Sequence, residues 1–148
     1  MIKKLTTLAL LFFSVALNAQ NGRTISPFDD NWKFFKGDAT GAEQTSFDAS
    51  TWTDVKLPHD WSIYGPYDRN NTTGSGGGYL PSDIGWYRNS FSLSNKDAGK
   101  KFSIEFDGIM ANSDVWINGH HLGKRPSGYV SLSYDLTPYL KFYGVNLI

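Results

Sequence analysis

The sequence predicts an all-β sandwich, and three observations carry that prediction. Short segments alternate apolar and polar residues with a period of two, as strands with one buried face do. Turn-forming residues recur roughly every 8–12 positions, the rhythm of a sandwich. No internal repeat and no long helical period interrupts this pattern. The 148 residues, 40% of them hydrophobic, are enough for one domain with a core and too few for two.

The first element is an address. Lys3 and Lys4 precede the uncharged run Leu5 to Leu17, and Asn18-Ala19-Gln20 follows with a small residue before a cut. Basic, apolar, small is the order of a secretory signal peptide, here residues 1–19. The run of about 13 residues is short for a membrane span, which needs ~20. Cleavage would leave twelve basic against fourteen acidic residues, a net charge of −2. The mature domain, residues 20–148, is expected in the bacterial periplasm or medium, with no membrane attachment.

Within it, Tyr87, Phe91 and Leu93 face one way along a strand, with Trp86, Arg88, Ser90 and Ser92 opposite. Phe102, Ile104 and Phe106 share one face of the next strand; Lys101, Ser103, Glu105 and Asp107 share the other. Val115-Trp116-Ile117 runs into Asn118-Gly119, the pair preferred in a two-residue hairpin, and His120-His121-Leu122 returns. Val130, Leu132, Tyr134 and Leu136 alternate again. Asp135 to Leu140 reads as one helical turn capped by Asp135 or Thr137. Gly144 to Ile148 reads as a turn entering a new apolar strand. Residues 63–85, with five glycines before Ile84, are expected to form a long loop without regular structure, and such a loop is functional or mobile.

Composition excludes several functions. Fourteen basic residues balance fourteen acidic ones, so the phosphate affinity of a nucleic-acid binder is missing. Aromatic residues make up 16%, against disorder. With no cysteine there is no disulfide framework, thiolate nucleophile or cysteine zinc site. Gly74-Ser75-Gly76-Gly77-Gly78 lacks the Gly-Lys-Ser/Thr of a phosphate loop. His120 and His121 are adjacent on a strand and point to opposite faces, so no metal site is expected. Neither is a cofactor.

Glycoside hydrolysis needs two carboxyl groups about 5–9.5 Å apart. The only glutamates are Glu43, in a polar loop, and Glu105, on the polar face of a strand. Most aspartates occupy turns. His59-Asp60 has no nucleophile beside it and reads as a structural corner in which His59 bonds backbone. No catalytic residue is assigned. The five tryptophans are core filler first and sugar platforms second. Tyr79 and Trp86, flanking the glycine run, are the best placed to meet a ligand.

Six motifs stand in one order: Leu57-Pro58-His59-Asp60-Trp61, Gly85-Trp86-Tyr87-Arg88, Phe106-Asp107-Gly108-Ile109, Val115-Trp116-Ile117-Asn118-Gly119, Ser127-Gly128-Tyr129 and Asp135-Leu136-Thr137-Pro138-Tyr139-Leu140. This series resembles the N-terminal sugar-binding domain of glycoside hydrolase family 2, of the secreted bacterial beta-galactosidase type, over residues 26–148. The resemblance implies a galactose-binding-like jelly-roll sandwich. It implies a galactoside-type glycan as ligand and downstream domains of the same polypeptide as partners, with both catalytic glutamates on a following barrel. In family members this domain buttresses that barrel, and one of its loops reaches the rim of the sugar pocket. The matching loop makes Tyr79, Ser82, Asp83 and Trp86 the candidate ligand-binding residues. Some members place an asparagine on the substrate from this loop, where this chain has Ser82 and Asp83.

The chain stops two residues into its last apolar strand, so a jelly roll incomplete at its C-terminus is expected, a fragment of a larger hydrolase. Lost strand pairs and wet core side chains at ~1.5–3 kcal/mol each would make residues 20–148 fold poorly alone. The alternatives are a stand-alone secreted carbohydrate-binding module and a structural surface domain that binds no sugar.

Overall fold

The computed structural model describes residues 22–148. The export signal expected at residues 1–19 lies outside the described residues. Among the described residues nine strands follow in order: β1 Trp32–Lys36, β2 Thr53–Val55, β3 Gly85–Arg88, β4 Ser90–Leu93, β5 Ser103–Phe106, β6 Ser113–Ile117, β7 His120–Arg125, β8 Leu132–Asp135 and β9 Gly144–Leu147. The helical pieces among the described residues are 3-10 turns of three residues each. Every strand pair is antiparallel: β2-β1-β3 form one sheet, and β4-β9, β5-β8 and β6-β7 form two-stranded ladders. The described residues are all-β.

The alternation read from the sequence builds the main core. Ile104 from β5, Val115 and Ile117 from β6, Leu132 and Tyr134 from β8, and Leu136 are all buried. Phe91, Phe102, Phe106, Leu122 and Ile148 pack against them, so the three ladders share one interior. A second cluster of Ala39, Ala42 and Trp52, with Phe47 and Trp86 against it, sits on the three-stranded sheet. Trp32 and Trp52 are core residues, as tryptophans in sandwiches usually are.

The strand expected from Trp86 to Leu93 is two strands. β3 pairs with β1, and after Asn89 the chain changes partner, so that β4 pairs with β9. Asn89 marks the switch. Its side chain donates to Asp30 O at 2.9 Å and accepts from Ser90 N at 2.7 Å, while its backbone exchanges two bonds with Ile148. The Arg88 side of the strand is also less polar than expected: Arg88 is only 5% exposed. It is satisfied by the carbonyls of Ala42, Gln44 and Phe47, and its guanidinium lies over the Phe47 ring. A buried cation is tolerable when its donors are met in this way.

Asn118 and Gly119 adopt positive φ angles of 51° and 84°, the geometry of the two-residue turn expected there. Asn118 does more than reverse the chain. Its side chain donates to Tyr139 O and to Asn146 Oδ1 and accepts from Leu147 N. Asn146, fully buried, completes the junction by bonding both backbone groups of Lys141. The β6–β7 turn is thereby tied to β9, where the sequence places its last strand.

Two local expectations change. Val130 is 50% exposed and precedes β8, so the buried alternation begins at Leu132. The turn after β8 is a 3-10 turn at Thr137–Tyr139 with Leu136 at its N-cap. Asp135 Oδ1 instead accepts from Thr137 N, and the Thr137 hydroxyl engages both backbone groups of Phe102. Thus the turn is anchored to Phe102, the residue before β5, rather than capped at its own first residue.

Candidate functional site

The β2–β3 connection is where the sequence places ligand contacts, and its root is aromatic. Phe34 on β1 packs against His59 and Tyr87 at ring-centroid distances of 4.9 Å each, and lies parallel to Trp61 at 6.4 Å. Lys36 Nζ stands 4.8 Å from the Trp61 ring. This close packing requires Gly85, because a Cβ there would lie 3.0 Å from Trp61 Nε1 and 3.1 Å from Phe34 Cε2. Each such aromatic pair contributes ~0.5–1.5 kcal/mol beyond area burial.

His59 sits at the corner expected of it, with a different partner. Its Nδ1 is 2.9 Å from the Tyr87 hydroxyl. The Asp60 carboxylate accepts from Ser62 N and Ser62 Oγ, which starts the 3-10 turn Ser62–Tyr64 and leaves the imidazole without an aspartate orienter. Burial, with a smaller contribution from Asp60, pushes the Tyr87 phenol up to about 12. The pair therefore holds a neutral phenol, an architectural hydrogen bond.

Beyond this root the loop closes on itself, contrary to a loop without regular structure. A second 3-10 turn, Ser75–Gly77, lies between Gly74 and Gly78, both at positive φ. Tyr79 follows at φ 56°, a conformation that costs an aromatic residue ~1–3 kcal/mol. Hydrogen bonds hold it there. Its N–H donates to Gly74 O, and its carbonyl accepts from Asp68 N and from Asn71 Nδ2. The same Asn71 nitrogen donates to Pro66 O, and Thr73 Oγ1 donates to Leu80 O at 2.6 Å. Gly65 abuts Pro81 so closely that a Cβ would fall 2.1 Å from its Cγ.

The four candidate residues divide between two faces. Tyr79, Ser82 and Asp83 are exposed on the loop, and Asp83 Oδ1 accepts from Ile84 N. Trp86 points to the other side of β3. It stacks on Trp116 at 5.4 Å and packs on the Ala39–Ala42–Trp52 cluster, and its Nε1 is buried without a partner. Sequence reasoning did not single out Tyr64 and Tyr67, which are 78% and 74% exposed on the same loop. Their only signal was their position between Trp61 and the glycine run.

Other features with chemical potential are accounted for locally. Glu105 pairs with Arg23 at 2.5 Å, and Glu43 accepts from Gln44. His120 stacks on Tyr139, whereas His121 meets Asp114 at 2.8 Å, so the adjacent histidines do diverge. No group of three or more potential metal-ligating side chains occurs among the described residues. An open cleft of about 310 Å³ lies elsewhere, where β3 passes into β4; Lys33, Phe47, Arg88 and Asn89 line it, together with short polar residues.

Antiparallel strand pairs around a main core and a smaller second cluster, with a long self-bonded loop between β2 and β3, define an all-β domain. Comparison with known proteins gives the family. Residues 43–148 match the glycosyl hydrolase 2 galactose-binding domain-like family, and the chain belongs to it. It is 51% identical over 126 residues to a beta-galactosidase of Bacteroides ovatus, covering 85% of this chain and 15% of that protein. It is 36% identical to a beta-glucuronidase of Formosa agariphila, covering 85% and 13%. Among solved structures, a beta-glycosidase from Bacteroides vulgatus superposes with a TM-score of 0.80 at 49% identity, covering 85% of this chain and 16% of that one. A glycosyl hydrolase family 2 member from Bacteroides cellulosilyticus superposes at 0.79 and 37% identity, covering 82% and 16%. The chain thus spans about 15% of the length of the curated relative it matches at 51% identity.

Proposed function

We propose that this chain is the non-catalytic, amino-terminal domain of an exported glycoside hydrolase family 2 enzyme acting on β-galactosides. It buttresses the catalytic barrel and presents the loop bearing Tyr79, Ser82 and Asp83 at the rim of the sugar pocket. The observation that carries the reading is the 51% identity to a beta-galactosidase across 126 residues that make up only 15% of that protein. The loop supports it further: its backbone is fixed by its own hydrogen bonds and leaves Tyr79 accessible, so a sugar meets a preformed contact. Trp86 contributes through packing, since its indole lies against Trp116. Export rests on the order of residue types in positions 1–19.

The test is a chimaera in which residues 22–148 replace the matching domain of the Bacteroides ovatus enzyme. Release of chromophore from an aryl β-galactoside is expected from the chimaera and not from this chain alone. A soluble, folded chimaera with no hydrolysis of aryl galactoside overturns the reading. Faster hydrolysis of an aryl glucuronide than of the galactoside by the enzyme encoded with this domain overturns the choice of sugar.

A further inference from the structure

The open cleft of about 310 Å³ where β3 passes into β4 has a volume at the lower end of the range of small-ligand sites. Topology opens it. β3 is held by β1 and β4 by β9, so at Asn89 the chain leaves one partner and joins the other. The switch is fixed from both sides: the Asn89 side chain is tied to Asp30 O and its backbone to Ile148.

The lining divides by chemistry. Arg88 and Asn89, each 5% exposed, are its buried polar residues. Phe47, Ala49 and Leu147 supply apolar surface. Thr45, Ser50 and Ser90 are exposed and bring three hydroxyls. Among the described residues no aspartate or glutamate lines the cleft. The charge balance is one-sided. Asp54 takes the Lys33 ammonium at 2.7 Å, whereas Arg88 enters no ion pair among the described residues. Its hydrogen bonds run to the neutral carbonyls of Ala42, Gln44 and Phe47, which occupy three of the five N–H groups of a guanidinium. Burial works against its charge, and Glu43 favours that charge without touching it. A buried cation with donors to spare and no counter-ion is completed by an anion.

We propose that this cleft binds a uronate, a pyranose whose carboxylate is drawn to Arg88, whose ring lies against Phe47 and whose hydroxyls meet Thr45, Ser50 and Ser90. Each part of the ligand answers one feature of the lining. A bare anion leaves Phe47, Ala49 and Leu147 in water, and an uncharged sugar leaves the Arg88 charge unanswered. The cleft shares no residue with the loop bearing Tyr79, Ser82 and Asp83, so the site goes beyond the function proposed above.

The test is an amide NMR titration of the full chain at pH 7 with galacturonate, with galactose as its uncharged counterpart and acetate as the bare carboxylate. Galacturonate is expected to shift the amides of Thr45, Ser50, Asn89 and Ser90 saturably, and to bind at least about tenfold more tightly than galactose or acetate. Thr45→Glu sets a carboxylate in the cleft from an exposed position and should weaken galacturonate by about tenfold or more, while Thr45→Gln, of the same size and uncharged, keeps it within about threefold. Equal affinity for galactose or acetate, equal binding by the T45E and T45Q proteins, or shifts confined to residues 66–83 overturn the site. The last result would leave the loop of the proposed function intact. Should the T45E chain fail to fold, calorimetry on the chimaera with the Bacteroides ovatus enzyme, run in excess galactose, gives the second measurement. Galacturonate binding that Ser50→Glu removes is expected, and no such binding overturns the proposal.

Discussion

Replacing Asn146 by alanine removes the one fully buried side-chain amide that joins β9 to the rest of the sandwich. In the native chain this amide accepts from Lys141 N at 2.7 Å and from Asn118 Nδ2 at 2.9 Å, and donates to Lys141 O at 2.9 Å. Asn118 keeps its bond to Tyr139 O, and Lys141 is an exposed residue, so water relieves part of the loss. At ~1 kcal/mol for each of two bonds not recovered and about 1 kcal/mol for the space vacated, the expected destabilisation is roughly 3 kcal/mol. For a domain of this size that corresponds to a fall in Tm of about 10 °C. The assay is thermal and urea unfolding of the full chain by circular dichroism at pH 7, with Asn95→Ala on an exposed turn as control. N146D separates hydrogen bonding from volume. It keeps the size and the two accepting contacts but turns an oxygen toward Lys141 O, where only a protonated carboxyl can donate. Its folded-state pKa is therefore raised above the unfolded value. The variant is least stable at neutral pH and recovers as pH falls through that raised value. A loss below ~1 kcal/mol for N146A, or an N146D protein whose stability does not improve on acidification, refutes the reasoning.

Gly65→Ala drives a methyl into Pro81 and springs the β2–β3 loop from its root; limited proteolysis within residues 66–80 should accelerate severalfold while the far-ultraviolet spectrum is kept, and unchanged cleavage counts against a closed loop. Tyr87 ionises at about 12 because of burial. Its contribution is complete below the ordinary phenol value of 10.0 and is lost as pH rises toward 12, so Tyr87→Phe should abolish an absorbance step near 12 in alkaline titration. Asp97 is held far below the usual carboxylate range, first by Lys100 and then by the Ser94 backbone and hydroxyl. The turn it caps is fully supported above the ordinary value of 3.8 and loosens only as pH falls through the depressed one. A carboxyl-carbon NMR titration in which Asp97 follows an ordinary aspartate would contradict this.

Much of the framework was legible because period-two alternation is a direct record of which face is buried. β5, β6 and β8 follow from Ile104, Val115, Ile117, Leu132 and Tyr134, and Asn118-Gly119 announced its turn through the left-handed backbone that pair tolerates. The residues that escaped are those whose role depends on a distant partner. Nothing local in Arg88 tells that three loop carbonyls will bury it, nor in Asn89 that a strand changes sheet there. β1 and β2 were not delineated because Trp32-Lys33-Phe34-Phe35-Lys36 lacks strict alternation and β2 is three residues long. At the candidate site, alternation along β3 could have separated Trp86 from the loop, since Tyr87 points toward His59 and its neighbour must point away. The self-closure of residues 65–81 was beyond reach, being set by Asn71 bridging two carbonyls.

The pairing of β4 with β9 has a consequence for the time course of synthesis. About fifty residues separate Leu93 from its partner Gly144. A ribosome adding ~5–20 residues per second leaves the β4 edge bare for several seconds before the complementary strand emerges. The Asn118–Asn146 junction belongs to the same strand, so the hairpin turn waits for β9 to dock. Closure of the β4 ladder is therefore gated by the arrival of β9. Until then its open ladder is the segment that a chaperone, or an aggregate, would recognise first.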